Sequence, residues 1–411
     1  MKNDAKVRII EEPERMNGGI ILKKAGKTLS ALLAAALMVT GCGAAEKPKQ
    51  APATSGGSVR TESEKKEGQA MNLKDAFGKD FKVGVAVNPY QLKDPEMSKL
   101  IRENFNSITM ENAMKPENIL DQAASENSAD GMPEINTENL DEVLSLAKEN
   151  NLSLRGHCLV WHKQTPEWFF CEKYDAGNDR VDKETMKKRM ESYIKKVLTY
   201  CQKNYPGVIY AWDVVNEACE DSGGYRTNSK WYEAYGDESY IVDAFTFARK
   251  YAAKDVKLFY NDYNEYMPSK VSTIAELLKK LNDKKLVDGV GFQSHWDMNY
   301  PDTGMVKDAM AEYSAIGDLE IQFTEIDMHN TEDSEDALKE QADRYKEFFE
   351  MITTADREGK AKVTSVTFRG LDDEVTWLSG FKGETSYPLL FDANHEKKPC
   401  YHSILAVGNK K

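Results

Sequence analysis

Eight short apolar segments alternate with longer amphipathic segments along most of this chain, and the alternation limits the folds it can adopt. The apolar segments are rich in branched and aromatic residues, which is typical of strands with two buried faces. We predict eight strands: Phe81–Val87, Ser107–Met110, Leu152–Cys158, Ile209–Val215, Val256–Tyr260, Val287–Gln293, Leu319–Thr324 and Val363–Phe368. Helix-like sequence follows them, for example at 183–201, 239–253, 269–281 and 335–352. Such alternation indicates a parallel sheet whose strands are joined by helical crossovers.

Eight strand–helix units in one domain favour a closed (β/α)8 barrel over an open sheet. The 411 residues are enough for such a domain, and a composition of 40% hydrophobic and 30% charged residues is typical of a globular protein. A dinucleotide-binding sheet is disfavoured because no GxGxxG or Walker-type loop follows the first predicted strand. We therefore predict an α/β protein with a single (β/α)8 barrel domain.

The residues before the barrel resemble an export signal. Lys23, Lys24 and Lys27 precede the apolar run Leu29–Val39, which is short for a membrane span. A basic segment followed by such a run is typical of a secretory signal peptide. The run ends in Val39-Thr40-Gly41-Cys42, which resembles the lipobox of bacterial lipoproteins, in which the cysteine is acylated and becomes the mature N-terminus. The resemblance implies lipidation at Cys42.

The predicted organisation has three parts: a signal peptide at 1–41, a linker at 42–70 and the barrel domain at 71–411. The linker consists mainly of Ala, Pro, Gly, Ser, Lys and Glu, so it has too little apolar surface to form a core. Two alternatives stay open, namely an ordinary signal cleaved near Ala45 and a start at Met16 instead of Met1. We expect a secreted or cell-surface protein, which lipidation would anchor to the outer face of the cytoplasmic membrane.

Charge and cysteine content exclude some partners and cofactors. A formal net charge of −13 argues against a nucleic-acid partner, because phosphate binding needs a basic face. Apart from the cysteine of the lipobox, five cysteines remain. The sequence contains neither a CxxC nor an HExxH pattern, either of which would suggest a metal site. We expect buried, reduced cysteines and no metal or organic cofactor. The five are Cys158, Cys171, Cys201, Cys219 and Cys400.

Polar and aromatic residues cluster at the carboxyl ends of six predicted strands. In a barrel these ends meet at one mouth, where active sites are built. In chain order the clusters are Glu111–Lys115, His157–His162, Asn216-Glu217, Asn261–Asn264, Gln293–Trp296 and Glu325–Asp327.

The clusters at the ends of strands four and seven contain Glu217 and Glu325. These two strands lie on roughly opposite sides of an eight-stranded barrel. Hydrolysis of a glycosidic bond requires such a pair, one carboxyl that protonates the leaving oxygen and one that attacks or activates water. Retaining enzymes hold the two groups about 5–5.5 Å apart, and inverting enzymes roughly 6.5–9.5 Å. The sequence permits the shorter spacing for Glu217 and Glu325 without fixing it.

Several ordered motifs resemble glycoside hydrolase family 10, the endo-β-1,4-xylanases. They are NSITMENAMKPE, RGHCLVWHKQTPEWF, WDVVNE, YNDYN, GVGFQSHW and TEID, and the resemblance extends from about Gly84 to Trp377. It implies a (β/α)8 barrel that cleaves internal xylosidic bonds with retention, through a covalent glycosyl-enzyme intermediate and without a cofactor. The signal would make it a bacterial enzyme of the lipoprotein type.

The resemblance also implies roles for individual residues. Glu217 corresponds to the general acid/base and Glu325 to the nucleophile. Asn216 would hold the 2-hydroxyl of the sugar, and His295 would donate to the nucleophile while Asp327 orients the imidazole. The residues expected to contact substrate are Glu111, Asn112, Lys115, His157, Trp161, Gln164, Tyr263, Gln293, Arg369 and Trp377.

Some of these positions have structural alternatives. His157 and Asp327 would also suit buried partners at the barrel rim, and Asp262 would suit either a sugar contact or a loop support. Cys219, two residues after the acid, fits a packed side chain better than a reactive thiol. Arg155 lies inside a strand and is expected to form a structural ion pair.

One position departs from the family pattern. The family usually has tryptophan before the glycine after strand eight, whereas this sequence has Arg369-Gly370; the second expected tryptophan is Trp377. Loss of an aromatic wall would leave room beside C5 of the sugar, where glucose carries a hydroxymethyl group. Alternatively, Arg369 pairs with Asp372 or Asp373 and restores the wall.

The rival functions are a β-1,4-glucanase or mixed-specificity enzyme, kept open by Arg369, and a non-catalytic surface lipoprotein that binds oligosaccharides. The second rival is disfavoured because both glutamates are present. The expected partner is xylan or a xylo-oligosaccharide, bound by a monomer whose only membrane contact is the lipid anchor.

Overall fold

The computed structural model describes residues 72–410, in which eight parallel strands close into a barrel. Seven of the eight predicted strands overlap the observed ones with shifts of a few residues at their ends, and strand two matches at both ends. The strands are β1 Lys82–Val87, β2 Ser107–Met110, β3 Ser153–Trp161, β4 Ile209–Asn216, β5 Lys257–Asp262, β6 Gly289–Phe292, β7 Glu320–His329 and β8 Lys362–Phe368. The predicted (β/α)8 fold is confirmed.

Each barrel strand pairs in parallel with its neighbours in sequence, and β8 closes the barrel against β1. The seam is regular, with Gly84 opposite Thr367 and Val85 opposite Phe368. Three irregularities occur near the carboxyl ends of strands, between His157 and Val160 in β3, between Asp213 and Val215 in β4 and between Phe323 and Ile326 in β7. Such bulges turn side chains toward a new direction, here close to the mouth.

Helices surround the barrel and cover the outward faces of its strands. They are α1 Leu73–Ala76, α2 Pro89–Lys93, α3 Pro95–Asn104, α4 Pro116–Ile119, α5 Gln122–Glu126, α6 Thr137–Glu149, α7 Lys183–Asn204, α8 Lys230–Tyr235, α9 Ser239–Tyr251, α10 Pro268–Asp283, α11 Thr303–Ser314, α12 Glu335–Arg357, α13 Trp377–Lys382 and α14 Pro399–Gly408. Single-turn 3-10 helices occur at Glu167–Phe170, Glu172–Tyr174 and Asp373–Val375.

The sequence encodes the helix starts locally. The side chains of Asp182, Ser334 and Asp302 each accept a hydrogen bond from a backbone N–H of the first turn of α7, α12 and α11. These caps satisfy amide donors that have no partner inside a helix. Proline occupies the first position of α3, α10 and α14, where its missing N–H costs nothing.

Two minor pairings lie outside the barrel ring. Leu120–Asp121 and Glu134–Ile135 form an antiparallel pair in the loop after β2. A three-residue strand, His295–Asp297, runs parallel to the end of β7 and places His295 opposite Asp327. This second pairing fixes the position of two residues of the predicted active site.

Within residues 72–410, no helix has both the length and the apolar character that crossing a membrane requires. The five cysteines of the barrel are all buried and free, as predicted. The predicted signal peptide, the lipidation at Cys42 and the linker lie outside the described residues.

Candidate active site

The mouth of the barrel is built around Glu217, the first residue after β4. Its backbone lies in the left-handed region at φ 56°, which side chains other than glycine rarely adopt, and its amide donates to the Asn261 carbonyl at 2.9 Å. Such conformations are costly and are concentrated at functional sites. Here the turn takes the chain out of the strand and leaves the carboxyl nearly buried in the mouth.

Three side-chain donors hold the Glu217 carboxyl. Trp161, the last residue of β3, donates from Nε1 to Oε2 at 2.8 Å. Gln293 donates from Nε2 to Oε1 at 2.9 Å, and Asn216 donates to the same oxygen at 3.1 Å. His162 lies 3.8 Å from Oε2. The three donors are neutral, and together they fix the orientation of this carboxyl.

Glu325 lies inside β7 in the structure, since that strand continues to His329 beyond the predicted end at Thr324. It occupies the bulge between Phe323 and Ile326, and this irregularity positions its side chain in the mouth. Burial raises its pKa, but the interaction with His295 and neighbouring positive charge outweigh burial and hold the pKa well below the usual range. Glu325 is therefore ionised at neutral pH.

A chain of three side chains supports Glu325. His295 lies with Nε2 3.6 Å from Glu325 Oε2 and Nδ1 3.0 Å from Asp327 Oδ1. Trp377 donates from Nε1 to the other oxygen of Asp327 at 2.8 Å and packs edge-on against the imidazole. Burial lowers the pKa of His295, but Asp327 and Glu325 outweigh it and raise the pKa to about 10. The imidazole is therefore a cation between two carboxylates.

Asn261 in β5 links the two halves of the site, a role that was not predicted from the sequence. Its Nδ2 donates to Asn216 Oδ1 at 3.0 Å and to Glu325 Oε1 at 3.2 Å. Room for it depends on Gly291 in β6, where a Cβ atom would lie 2.2 Å from Asn261 Oδ1. A polar residue near the end of an otherwise apolar strand was the available sequence signal.

Beneath the mouth, His157 contacts Asp213 through Nδ1 at 2.8 Å. Arg155 forms an ion pair with the same aspartate and donates from Nε to Gln322 at 2.8 Å, all within the barrel interior. The structural prediction for Arg155 is confirmed. Asp213 was missed, because a carboxylate in the middle of a strand gives no sequence signal of its buried partner.

The predicted substrate residues on the β2 side lie together. Gln164 donates to Asn112 Oδ1 at 3.2 Å, and Lys115 lies 3.4 Å from the same oxygen. The buried Lys115 ammonium is 4.7 Å from the ring centroid of Trp161, which also holds Glu217. These residues form a polar wall continuous with the carboxyl pair.

Arg369 follows β8 and faces the carboxylates of the mouth. Its Nε lies 3.1 Å from Glu325 Oε2, and its Nη1 lies 3.6 Å from Glu111 Oε2. The two aspartates considered as its partners have other neighbours: Asp372 lies 3.3 Å from the His395 imidazole and Asp373 pairs with Lys398 at 2.6 Å.

On the β5 side, Tyr263 accepts a hydrogen bond from Arg226 at 3.0 Å, and the Lys270 ammonium lies 3.7 Å from its ring centroid. Arg226 also donates to the Glu217 carbonyl at 3.1 Å, so it connects Tyr263 to Glu217. Asp262 is fully buried and pairs with Lys270 at 2.9 Å. Of its two predicted roles, the structure therefore shows support of the loop.

Two further observations concern reactivity. Cys219 is completely buried, and burial raises its pKa to about 12, so the thiol is a packed side chain. Across residues 72–410, no three His, Cys, Asp or Glu side chains are grouped so as to hold a metal ion. The chemical groups gathered at the mouth are two carboxyls with different surroundings, a buried imidazolium and amide donors.

The chain is similar to known proteins over most of its length. The model of glycosyl hydrolase family 10 matches residues 72–407. The chain is similar to endo-1,4-beta-xylanase B of Butyrivibrio fibrisolvens, at 48% identity over 82% of the chain and 53% of that protein. It is also similar to an endo-1,4-beta-xylanase of Geobacillus stearothermophilus, at 34% identity over 82% of the chain and 98% of that protein.

Among solved structures, the chain is similar to the CBM22-1–GH10 modules of Clostridium thermocellum endo-1,4-beta-D-xylanase 10B, solved with xylohexaose. The TM-score is 0.74 at 38% identity, covering 82% of this chain and 67% of that one. The chain spans about half the length of the Butyrivibrio relative and 34% of a bifunctional xylanase from Ruminococcus flavefaciens.

Proposed function

The chain belongs to glycosyl hydrolase family 10, and on that premise we propose that it is an endo-1,4-β-xylanase that hydrolyses internal xylosidic bonds with retention. The observation that supports this best is the contrast between its two glutamates. Glu217 is held by neutral donors, whereas Glu325 faces a buried imidazolium and a guanidinium. Environments that separate two carboxyls in this way assign them the acid and nucleophile roles. The names of the similar proteins support xylan as the substrate.

In the first step, the ionised Glu325 attacks the anomeric carbon while Glu217 donates its proton to the leaving glycosidic oxygen. The bond from carbon to leaving oxygen breaks, and an ester bond to Glu325 forms. Asn216 donates to Glu217 through Nδ2 and accepts hydrogen bonds from Gln293 and Asn261 through Oδ1. Its amide is therefore fixed where it can hold the 2-hydroxyl of the sugar.

In the second step, Glu217 takes a proton from water, whose oxygen attacks the same carbon and breaks the ester. Glu325 leaves as a carboxylate, and the imidazolium of His295 faces the charge that returns. Two inversions give net retention. This scheme needs no metal or organic cofactor, because proton transfer and attack are both performed by carboxyl groups.

The activity is tested by release of reducing sugar from xylan and, in parallel, from carboxymethyl-cellulose. We expect xylan to be the better substrate and Glu325→Ala to lose nearly all activity, since no neighbouring group replaces an attacking carboxylate. Lys339→Ala, at an exposed helical ion pair with Asp343, is the matched surface control. Preference for the cellulose derivative would favour the glucanase, and full activity of Glu325→Ala would exclude the assigned nucleophile.

The stereochemistry is tested by proton NMR of the first product formed. Retention requires the β anomer to appear before mutarotation, as expected for carboxyl groups about 5–5.5 Å apart. Early appearance of the α anomer would show inversion, and Glu325 would then be a base that activates water.

We further propose that the protein is exported, lipidated at Cys42 and active as a monomer at the cell surface. The basic residues before the run Leu29–Val39 and the Val39-Thr40-Gly41-Cys42 motif support export and lipidation. Labelling cells with an alkyne fatty acid, followed by fractionation, tests the anchor. We expect label in the membrane fraction for the native chain and none for Cys42→Ala, and light scattering of the soluble barrel should give the monomer mass. Unlabelled native protein in the medium would indicate ordinary signal cleavage.

A further inference from the structure

Arg369 is placed between two carboxylates at the reacting end of the site. Its Nε is 3.1 Å from Glu325 Oε2 and its Nη1 is 3.6 Å from Glu111 Oε2, with all three side chains at least 85% buried. Its guanidinium carbon lies 5.9 Å from the ring centroid of Trp377. Ion pairs removed from water interact far more strongly than those at the surface.

We propose that Arg369 stabilises Glu325 as the departing carboxylate in the second step, and thereby sets how fast the covalent intermediate is hydrolysed. The inference rests on the proposed function, because it requires Glu325 to form an ester. It assigns Arg369 an electrostatic role at the nucleophile in addition to any contact with the sugar.

The two steps change the charge next to Arg369 in opposite directions. When Glu325 attacks, its electron pair forms the bond to the anomeric carbon, and the negative charge facing the guanidinium disappears. When water attacks, that bond breaks and the electron pair returns to Glu325 as carboxylate charge. A fixed cation therefore opposes the first step and favours the second, because it stabilises the state in which Glu325 is charged.

Glu111 gives Arg369 a counter-charge in both steps of the reaction. When Glu325 is an ester, Arg369 keeps one carboxylate neighbour in Glu111, so the buried guanidinium is not left without a counter-charge. The cation then stays in position to meet the returning charge. Conversely, loss of Arg369 would leave Glu111 and Glu325 as like charges on either side of the vacated position, which would further disfavour release of the carboxylate.

The test measures the two steps separately with 2,4-dinitrophenyl β-xylobioside, whose good leaving group makes the first step fast. Arg369→Met removes the charge at similar length, and Arg369→Lys retains a charge. Arg357→Met is the matched control, because Arg357 pairs with Asp80 at the end of α12, away from the mouth. Stopped-flow release of dinitrophenolate gives the burst and the steady rate, and mass spectrometry of quenched enzyme gives the fraction of glycosylated protein.

For Arg369→Met we expect the hydrolysis of the intermediate to slow on the order of tenfold, with a burst no slower than in the native enzyme and more glycosylated protein at steady state. Arg369→Lys should recover part of the rate, and Arg357→Met should match the native enzyme. Equal slowing of both phases in Arg369→Met, or an unchanged rate of hydrolysis, would overturn the proposal. A native enzyme that forms no glycosyl intermediate at all would instead defeat the proposed function.

Discussion

Exchange of Asp327 for asparagine should lower the pKa of the buried His295 imidazole. The carboxylate lies 3.0 Å from His295 Nδ1 and is the strongest of the influences that raise the pKa of this buried imidazole to about 10. An opposite charge at this distance shifts a pKa by about 1–3 units, so we expect the pKa in Asp327→Asn to fall by about 2 units, to about 8. Asparagine preserves the size of the side chain and an oxygen for the Trp377 donor.

This change has a consequence for stability. Because the folded pKa of His295 is raised, its contribution to the free energy of unfolding is fully present below pH 6.5 and is lost as pH rises through about 10. In Asp327→Asn the same contribution should be lost as pH rises through about 8. The deficit of the variant should reach about 3 kcal/mol below pH 6.5 and shrink between pH 8 and pH 10, at about 1.4 kcal/mol per pKa unit.

Carbon-13 labelling of the histidine Cε1 positions allows the titration to be followed directly among only six histidines. The resonance that His295→Gln removes identifies the residue, and urea unfolding at pH 6 and pH 10 gives the stability difference. Asp343→Asn, at an exposed pair with Lys339, is the matched control and should leave the resonance unchanged. A native His295 that titrates near pH 6.5, or an Asp327→Asn midpoint equal to that of the native protein, would refute the reasoning.

Gly291→Ala should displace Asn261 from both of its acceptors and lower kcat by about tenfold or more. Circular dichroism checks that the variant is folded and steady-state kinetics measure kcat; an unchanged kcat would exclude the linking role of Asn261. Burial raises the pKa of Glu265 to about 8. Its contribution to the free energy of unfolding is therefore fully present below pH 4.5 and is lost as pH rises through about 8. Glu265→Gln should accordingly raise the melting temperature more at pH 9 than at pH 4.5. An equal change at both pH values would contradict that pKa. Arg369→Trp should raise the ratio of xylan to carboxymethyl-cellulose hydrolysis, and an unchanged ratio would exclude this position from sugar selectivity.

Much of the fold followed from local sequence. Alternating apolar and amphipathic segments predicted the strands and the longer helices. A strand that is buried on both faces is apolar throughout, whereas a helix that is buried on one face is amphipathic, so the two patterns differ. The ends of four strands were placed too early: β3 continues to Trp161, β4 to Asn216, β5 to Asp262 and β7 to His329. In β4, β5 and β7 the residue after the predicted end is polar, so the apolar pattern stops before the hydrogen bonding does.

The sequence by itself determined the barrel, the motif-bearing strand ends and the candidate pair Glu217 and Glu325, because these depend on residue type and on order along the chain. Only the tertiary structure decided which groups surround each carboxyl. Asn261 and Arg369 reach the carboxyls from strands that are distant in sequence, and nothing in either residue's local sequence predicts this approach. Electrostatic interactions depend on distance and burial, which closure of the barrel creates, and so the charge states of the site are properties of the folded chain.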